Sequence, residues 1–452
     1  MDNRKLLNPL VHLLEIPSVS TQVKHLTDMT RARNYLVDLF TSMGFTSQIL
    51  KAKKHDAVFS QLTTDTDKPT VLIYGHYDVQ PPEPIEEWTT QPFKPVVKAG
   101  KLYARGATDN KGQHMVHVLA IKNLLKKLKG KLPVNVKFII EGEEEIGSIS
   151  VEALAKKYAK NLFKCDYLLV SDTEMPAPGQ PSIDISLRGL LYAELQLEIG
   201  KHDLHSGQFG GVSENPTIVL ARIINKLKDK DNKILIPNFY TSVTTPSKQE
   251  LEDYKKIKAS KELIKHEGEI YTTGGGETRY SLNERRWSRP TLDINGIWGG
   301  YQDEGSKTII PAKAGMKLSM RLVPNQKPDE IYADLEKYIK KLVPKDIKYK
   351  LTRHADCLPY KAPTDHPVFT LIKQSLKKAF KKDPVFTGVG GSIGFVPVLA
   401  NKLRVPCILV GFGLPTDRMH SPNENFSLIN YYKGIEAMED FYTKLPNLKS
   451  RS

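Results

Sequence analysis

The sequence predicts an α/β protein with a mainly parallel sheet, interrupted by an inserted α+β lid. Three observations predict it. Runs of continuous apolar residues alternate with segments of helical period up to about residue 172, the pattern of parallel strands covered on both faces. From Leu191 to Ile199 the texture becomes a strict apolar–polar alternation, the pattern of a strand exposed on one face. The first texture returns after Pro367. At 452 residues the chain is too long for one ordinary core. Two domains are therefore expected, one from 1–187 together with 360–452, the other an insertion over 188–359.

The elements follow in order. Met1 through Lys5 lead into Leu6, Leu7, Leu10, Val11, Leu13 and Leu14, a stretch broken by Asn8, Pro9 and His12. It reads as an amphipathic first helix and not as a signal peptide, since no small-residue cleavage site follows. A helix near 29–43 precedes a strand near 71–75. A helix near 113–129, with Val118, Ile121, Leu125 and Leu128 on one face, precedes a strand at 134–140. A helix near 150–159 precedes a strand at 167–170. In the insertion, alternation recurs at Lys317–Leu322 and Lys348–Leu351, with amphipathic helices near 215–227 and 329–342. The lysine- and glutamate-rich segment 245–285 reads as helical, then irregular around Gly274-Gly275-Gly276. A helix at 367–380, an apolar strand at 405–410 and a helix near 430–443 close the chain.

Composition excludes several function classes. No apolar run approaches the ~20 residues that span a bilayer, so no membrane association is expected. The net charge of +15 raises the question of a nucleic-acid partner. The lysines, however, are scattered along helices, as at Lys122, Lys126, Lys127 and Lys129, and no aromatic-interleaved basic motif accompanies them. A solvated surface is the reading, with no nucleic-acid partner. Cys165, Cys357 and Cys407 are odd in number and widely spaced, which points to a reducing, cytoplasmic setting without a disulfide framework.

Chemistry concentrates where the apolar runs end. His76 and Asp78 follow one strand; Asp109 lies in a Gly-rich loop before a helix; Glu143, Glu144 and Glu145 follow a second strand; Asp172 follows a third; His420 follows the last by a short loop. Open α/β sheets place their sites just beyond the carboxyl ends of strands. Taken singly, Asp109 reads equally as a helix cap, Asp172 as a turn residue and the three glutamates as a solvated acidic turn. Recurrence at one topological place points instead to a dinuclear site. Imidazole with carboxylate suits zinc, and also manganese or cobalt. Of two adjacent carboxylates, one can ligate while the other takes a proton from a metal-activated water.

The sequence resembles a known family. His-Tyr-Asp-Val-Gln-Pro at 76–81, Arg-Gly-Ala-Thr-Asp-Asn-Lys-Gly at 105–112 and Glu-Gly-Glu-Glu-Glu-Ile-Gly-Ser at 141–148 look like the dinuclear zinc metallopeptidases related to aminoacylase and glutamate carboxypeptidase. Within them they are most similar to the cytosolic nonspecific dipeptidase and carnosinase branch. That likeness extends to His-Ser-Gly-Gln-Phe-Gly-Gly at 205–211, Arg-Leu-Val-Pro-Asn at 321–325, Gly-Gly-Ser-Ile at 390–393 and His420-Ser421. It implies two divalent ions, zinc first: one on His76 and Asp172, the other on Glu145 and His420, with Asp109 bridging. It implies Glu144 as general base, Asp78 orienting His76, and His205, Thr308, Arg321 and Ser392 in contact with substrate. It further implies a cis peptide at Asp109–Asn110, and a homodimer through the inserted domain in which His205 serves the other subunit's site. One departure stands out. The branch carries Arg-Glu before Gly-Gly-Ser-Ile, where this chain has Gly388-Val389. The expected activity is hydrolysis of the amide bond of dipeptides. The alternatives are an N-acyl or carbamoyl amino acid amidohydrolase or carboxypeptidase, and, in another class, a noncatalytic basic binding protein on the same fold.

Overall fold

A computed structural model describes residues 3–448. Met1, Asp2 and the end of the 360–452 segment past 448 lie outside the described residues. The core is a nine-stranded mixed sheet. Its centre holds Asn135–Glu141, Thr70–His76, Tyr167–Val170 and Cys407–Leu409 side by side, all parallel. These strands are buried along nearly their whole length; all of Thr70–His76 but its first residue is buried. That is why they read as continuous apolar runs rather than alternating ones.

The margins are less regular than the sequence suggests. Ala57–Leu62 joins Asn135–Glu141 antiparallel, and Thr46–Leu50 extends that edge. On the other side, Ser182–Leu187 meets Cys407–Leu409 antiparallel, while Val385–Val389 lies parallel to Ser182–Leu187. Helix Lys111–Lys127 packs against strand Thr70–His76 and against helices Asn3–Leu14 and Leu428–Lys444.

A second sheet is wholly antiparallel, in the order Thr291–Gly299, Lys313–Leu322, Gly189–Glu198, Lys348–Cys357. Buried and half-buried residues alternate without a break along Gly189–Glu198, as one covered and one wet face require. Helices Pro216–Leu227 and Pro328–Leu342 lie against it. Apolar burial forms two clusters. One gathers residues from Leu7 to Leu187 and from Tyr360 to Leu445; the other gathers residues from Leu191 to Ile347. The segment 245–285 is more ordered than its composition suggests. Helices Lys248–Lys256 and Lys261–Gly268 are followed by the glycine-bearing loop and helix Leu282–Trp287, and capping boxes at Ser247 and Ser281 start the first and the last.

Candidate metal centre

Four neighbouring parallel strands end on one edge of the sheet, and each delivers a side chain there. His76 is the last residue of its strand. Glu144 and Glu145 follow Asn135–Glu141, Asp172 follows Tyr167–Val170, and His420 follows Cys407–Leu409. Asp109 reaches the same point from the loop before helix Lys111–Lys127. That loop is tight: a Cβ on Gly112 would lie 1.9 Å from the Ala107 carbonyl oxygen. Only glycine lets helix and loop backbone approach so closely. The Asp109–Asn110 peptide is cis.

The side chains form two groups that share one carboxylate. His76, Asp109 and Asp172 make the first; Asp109, Glu145 and His420 make the second; within each group the ligating atoms lie within 4.8 Å of one another. His76 Nε2 stands 3.1 Å from Asp109 Oδ1 and 3.6 Å from Asp172 Oδ1. His420 Nε2 stands 2.8 Å from Asp109 Oδ2 and 3.3 Å from Glu145 Oε2. The two oxygens of Asp109 thus face the two groups separately.

Supporting contacts fix these atoms. The backbone carbonyl of Asp78 lies 3.0 Å from His76 Nδ1, leaving Nε2 toward the cluster. The Asp78 carboxylate accepts from the backbone N–H groups of Glu144 and Glu145 at 3.3 and 3.0 Å. Asn110 Nδ2 donates to Asp172 Oδ1 at 2.7 Å, and Gln80 Nε2 donates to Glu145 Oε2 at 2.7 Å. Glu424 is fully buried. It accepts from Arg105 Nη1 at 2.9 Å and from the backbone N–H groups of Gly106, Thr108 and Asp109 at 2.9, 3.0 and 3.1 Å. Asn110 and Gln80 lie inside the motifs, but their contacts with Asp172 and Glu145 are not legible there, and Glu424 lies in no motif, because the partners of all three lie far off in sequence. The one available signal for Glu424 is its place four residues after His420.

The electrostatics call for cations. Asp109, Glu144, Glu145 and Asp172 crowd one space, and among the described residues no lysine or arginine pairs with any of them. Burial opposes ionisation of Asp109, but hydrogen bonds from His420 and His76 hold its carboxyl well below the usual range. Burial, with Asp172, Glu145 and Asp109 nearby, pushes Glu144 well above the carboxylate range. Burial and Asp109 push Glu145 up to about 8. Mixed imidazole and carboxylate donors around a deficit of positive charge fit divalent metal ions.

Other expected site residues fall into three places. Glu143 turns away; its Oε1 accepts from the backbone N–H groups of Lys54 and His55 at 2.6 and 3.0 Å. Arg321 Nη1 donates to Ser392 Oγ at 2.9 Å, and Ser392 Oγ donates to the Arg188 carbonyl at 2.6 Å. His205 pairs with Ile309 in a short antiparallel ladder, and Thr308 precedes that partner strand; both His205 and Thr308 are exposed, and the Ser206 N–H donates to the Thr308 carbonyl at 3.0 Å. Among the described residues, no hydrogen bond or ion pair of His205 reaches the acid–imidazole cluster.

Known proteins resemble this chain in sequence and fold. A family model for peptidase family M20/M25/M40 matches residues 72–444. The chain is 32% identical over 459 residues to the Cys-Gly metallodipeptidase DUG1 of Candida albicans, covering 96% of this chain and 93% of that one. It is 30% identical over 397 residues to the Beta-Ala-His dipeptidase of Rattus norvegicus, covering 87% and 80%. Among solved structures it is similar to the M20 family metallo-carboxypeptidase Sso-CP2 from Sulfolobus solfataricus, with a TM-score of 0.87, 34% identity and coverage of 99% and 100%. It is also similar to human carnosine dipeptidase 1, with a TM-score of 0.82, 27% identity and coverage of 99% and 97%.

Proposed function

The chain belongs to peptidase family M20/M25/M40, and from that membership we propose that it hydrolyses the amide bond of dipeptides with two zinc ions. The observation that carries this reading is the pair of three-residue groups sharing Asp109. His76, Asp109 and Asp172 would hold one ion, and Asp109, Glu145 and His420 the other. When bound, the ions polarise the scissile carbonyl and acidify the attacking water. Glu144 makes no side-chain hydrogen bond among the described residues and sits beside both groups. It takes the proton from the attacking water and returns it to the departing nitrogen. Asp78 holds His76 in orientation. Arg321, steadied by Ser392, offers a planar fork for the substrate carboxylate.

His205 and Thr308 complete the site from a second copy of the chain. An exposed imidazole beside an exposed threonine, on a sheet of its own, suits the substrate oxygen of a neighbouring subunit. The protein is thus proposed to be a homodimer through the insertion 188–359, with 1–187 and 360–452 as the metal-holding domain. The division of apolar burial near residues 188 and 359 supports those boundaries. Cys165, Cys357 and Cys407 are free thiols, which supports a cytoplasmic setting.

A second reading is favoured by one observation. Val389 and Gly388 stand where the branch carries Glu and Arg, and they line a cavity of about 320 Å³ that also touches Asp172. An N-acyl amino acid or the end of a longer peptide could occupy it. The deciding experiment sets free dipeptides against N-acyl and N-carbamoyl amino acids, with and without a chelator. Chelator-sensitive turnover of the free dipeptides is expected. Turnover confined to the N-blocked compounds would replace the first reading by the second, and turnover indifferent to chelation would overturn both.

A further inference from the structure

Beyond Asp172 the cavity contains an acid that the hydrolytic chemistry does not use. Glu174 lies two residues past Asp172, and both residues line the same cavity. The segment is held in place from Gly413: Glu174 forms an isolated parallel bridge with it, and the Met175 N–H donates to its carbonyl at 2.8 Å. The chain bends at Thr173, and two residues span at most about 7 Å, so the backbone of Glu174 lies within that distance of Asp172. Val389, Leu263, Ile264 and Trp287 give the same cavity an apolar part of its wall.

The charges of this cavity are unevenly paired. Arg286 lies 3.8 Å from Glu267. Arg188 is held by backbone, its Nε donating to the Gly390 carbonyl at 2.8 Å. Lys258 is exposed at the rim. Glu174 makes no ion pair or hydrogen bond through its carboxyl among the described residues, and the Arg286 guanidinium acts on it only from beyond ion-pair distance. Deeper in, Asp184 is 2% exposed and lines the same cavity. Its Oδ1 accepts from Thr387 Oγ1 at 2.7 Å, whereas its Oδ2 has Thr173 beside it but no hydrogen bond of normal geometry. A half-buried carboxyl with a buried one behind it is electrostatically incomplete, and a cation completes it.

We infer that this cavity is a subsite for a basic side chain on the amino side of the scissile bond, with Glu174 as the residue that selects it. The apolar wall takes the methylene stem, as such stems lie along apolar surface, and the terminal ammonium or guanidinium meets Glu174. An α-amine, fixed close to the scissile carbonyl, stops short of Glu174; a lysyl, ornithyl or arginyl side chain spans the distance. The inference rests on the peptidase reading above and deepens it by naming the class of the first substrate residue.

The test uses the metal-loaded protein and three dipeptides with a common second residue: Lys-Ala, norleucyl-Ala and Glu-Ala. Norleucine keeps the stem of lysine and lacks its charge. A charged hydrogen bond contributes about 10- to 100-fold, so kcat/KM for Lys-Ala should exceed that for norleucyl-Ala by about that factor, mainly through KM. Glu174→Gln should bring the ratio close to one, and Glu174→Lys should turn preference toward Glu-Ala. The same ratio, read as Kd by calorimetry on Glu144→Gln, reports the subsite without turnover. A lysyl preference in Kd with no hydrolysis of any dipeptide would overturn the reaction and keep the subsite. Hydrolysis with a Lys-to-norleucyl ratio at or below one, a ratio unmoved by Glu174→Gln, or a preference of the unaltered protein for Glu-Ala would each overturn the subsite.

Discussion

Asp109 offers one oxygen to each imidazole, and its two contacts of 3.1 and 2.8 Å define the middle of the centre. Asp109→Ala is therefore expected to lose both ions together, whereas loss of a ligand to one ion only would spare the other. Metal analysis of the purified variant checks this; two ions per chain would exclude the bridging role. Glu144 is expected to behave differently. Glu144→Gln keeps the volume and the ligand set, so metal content should stay normal while kcat falls by at least about 10²-fold. Unchanged turnover in that variant would place the base elsewhere. In the sequence, Glu143 competes with Glu144 for this role, since three adjacent acids carry no label. The structure turns Glu143 onto the backbone of Lys54 and His55, a contact across almost ninety positions that no local pattern announces.

Between the elements, the centre depends on two loops being held in register. Glu424 does this by accepting from Arg105 and from three N–H groups of the loop that carries Asp109, while its own segment carries His420. Glu424→Ala would leave Arg105, 1% exposed, as an unpaired buried cation. Removing one partner of such a pair costs about 3–5 kcal/mol. A matching fall in unfolding free energy by denaturant titration is expected, and a change under about 1 kcal/mol would show that Arg105 finds water instead. The strands that deliver the ligands were legible as continuous apolar runs, because burial on both faces removes the alternation that polar faces impose. The antiparallel margin at Thr46–Leu50 and Ala57–Leu62 was not. The first of these strands is mostly exposed, and such short, partly wet strands differ little from loops in local composition.

For the whole molecule, the proposed dimer makes each site depend on two chains. His205→Ala and Glu144→Gln should each be nearly inactive alone. Mixed under conditions of subunit exchange, they form a heterodimer in which one site regains a native Glu144 and the partner subunit's His205. Activity should then return to about one quarter of the unaltered level if exchange is statistical and sites are independent. Mixtures that stay inactive despite exchange verified by mass spectrometry would show that His205 does not act across subunits.

What the sequence determined by itself was the class of fold, the strands that lead to the centre and the family motifs around them. Periodicity and motif spacing are local properties, and burial writes them directly into residue order. Tertiary structure alone decided which of the adjacent acids turns inward, which oxygen of Asp109 faces which imidazole, and that Glu174 shares a cavity with Asp172. Those facts depend on distances between side chains from strands and loops far apart in sequence, 319 positions in the case of Arg105 and Glu424. Local patterns carry no record of such distances, because only the packed sheet and the loops beyond its carboxyl edge bring those side chains together.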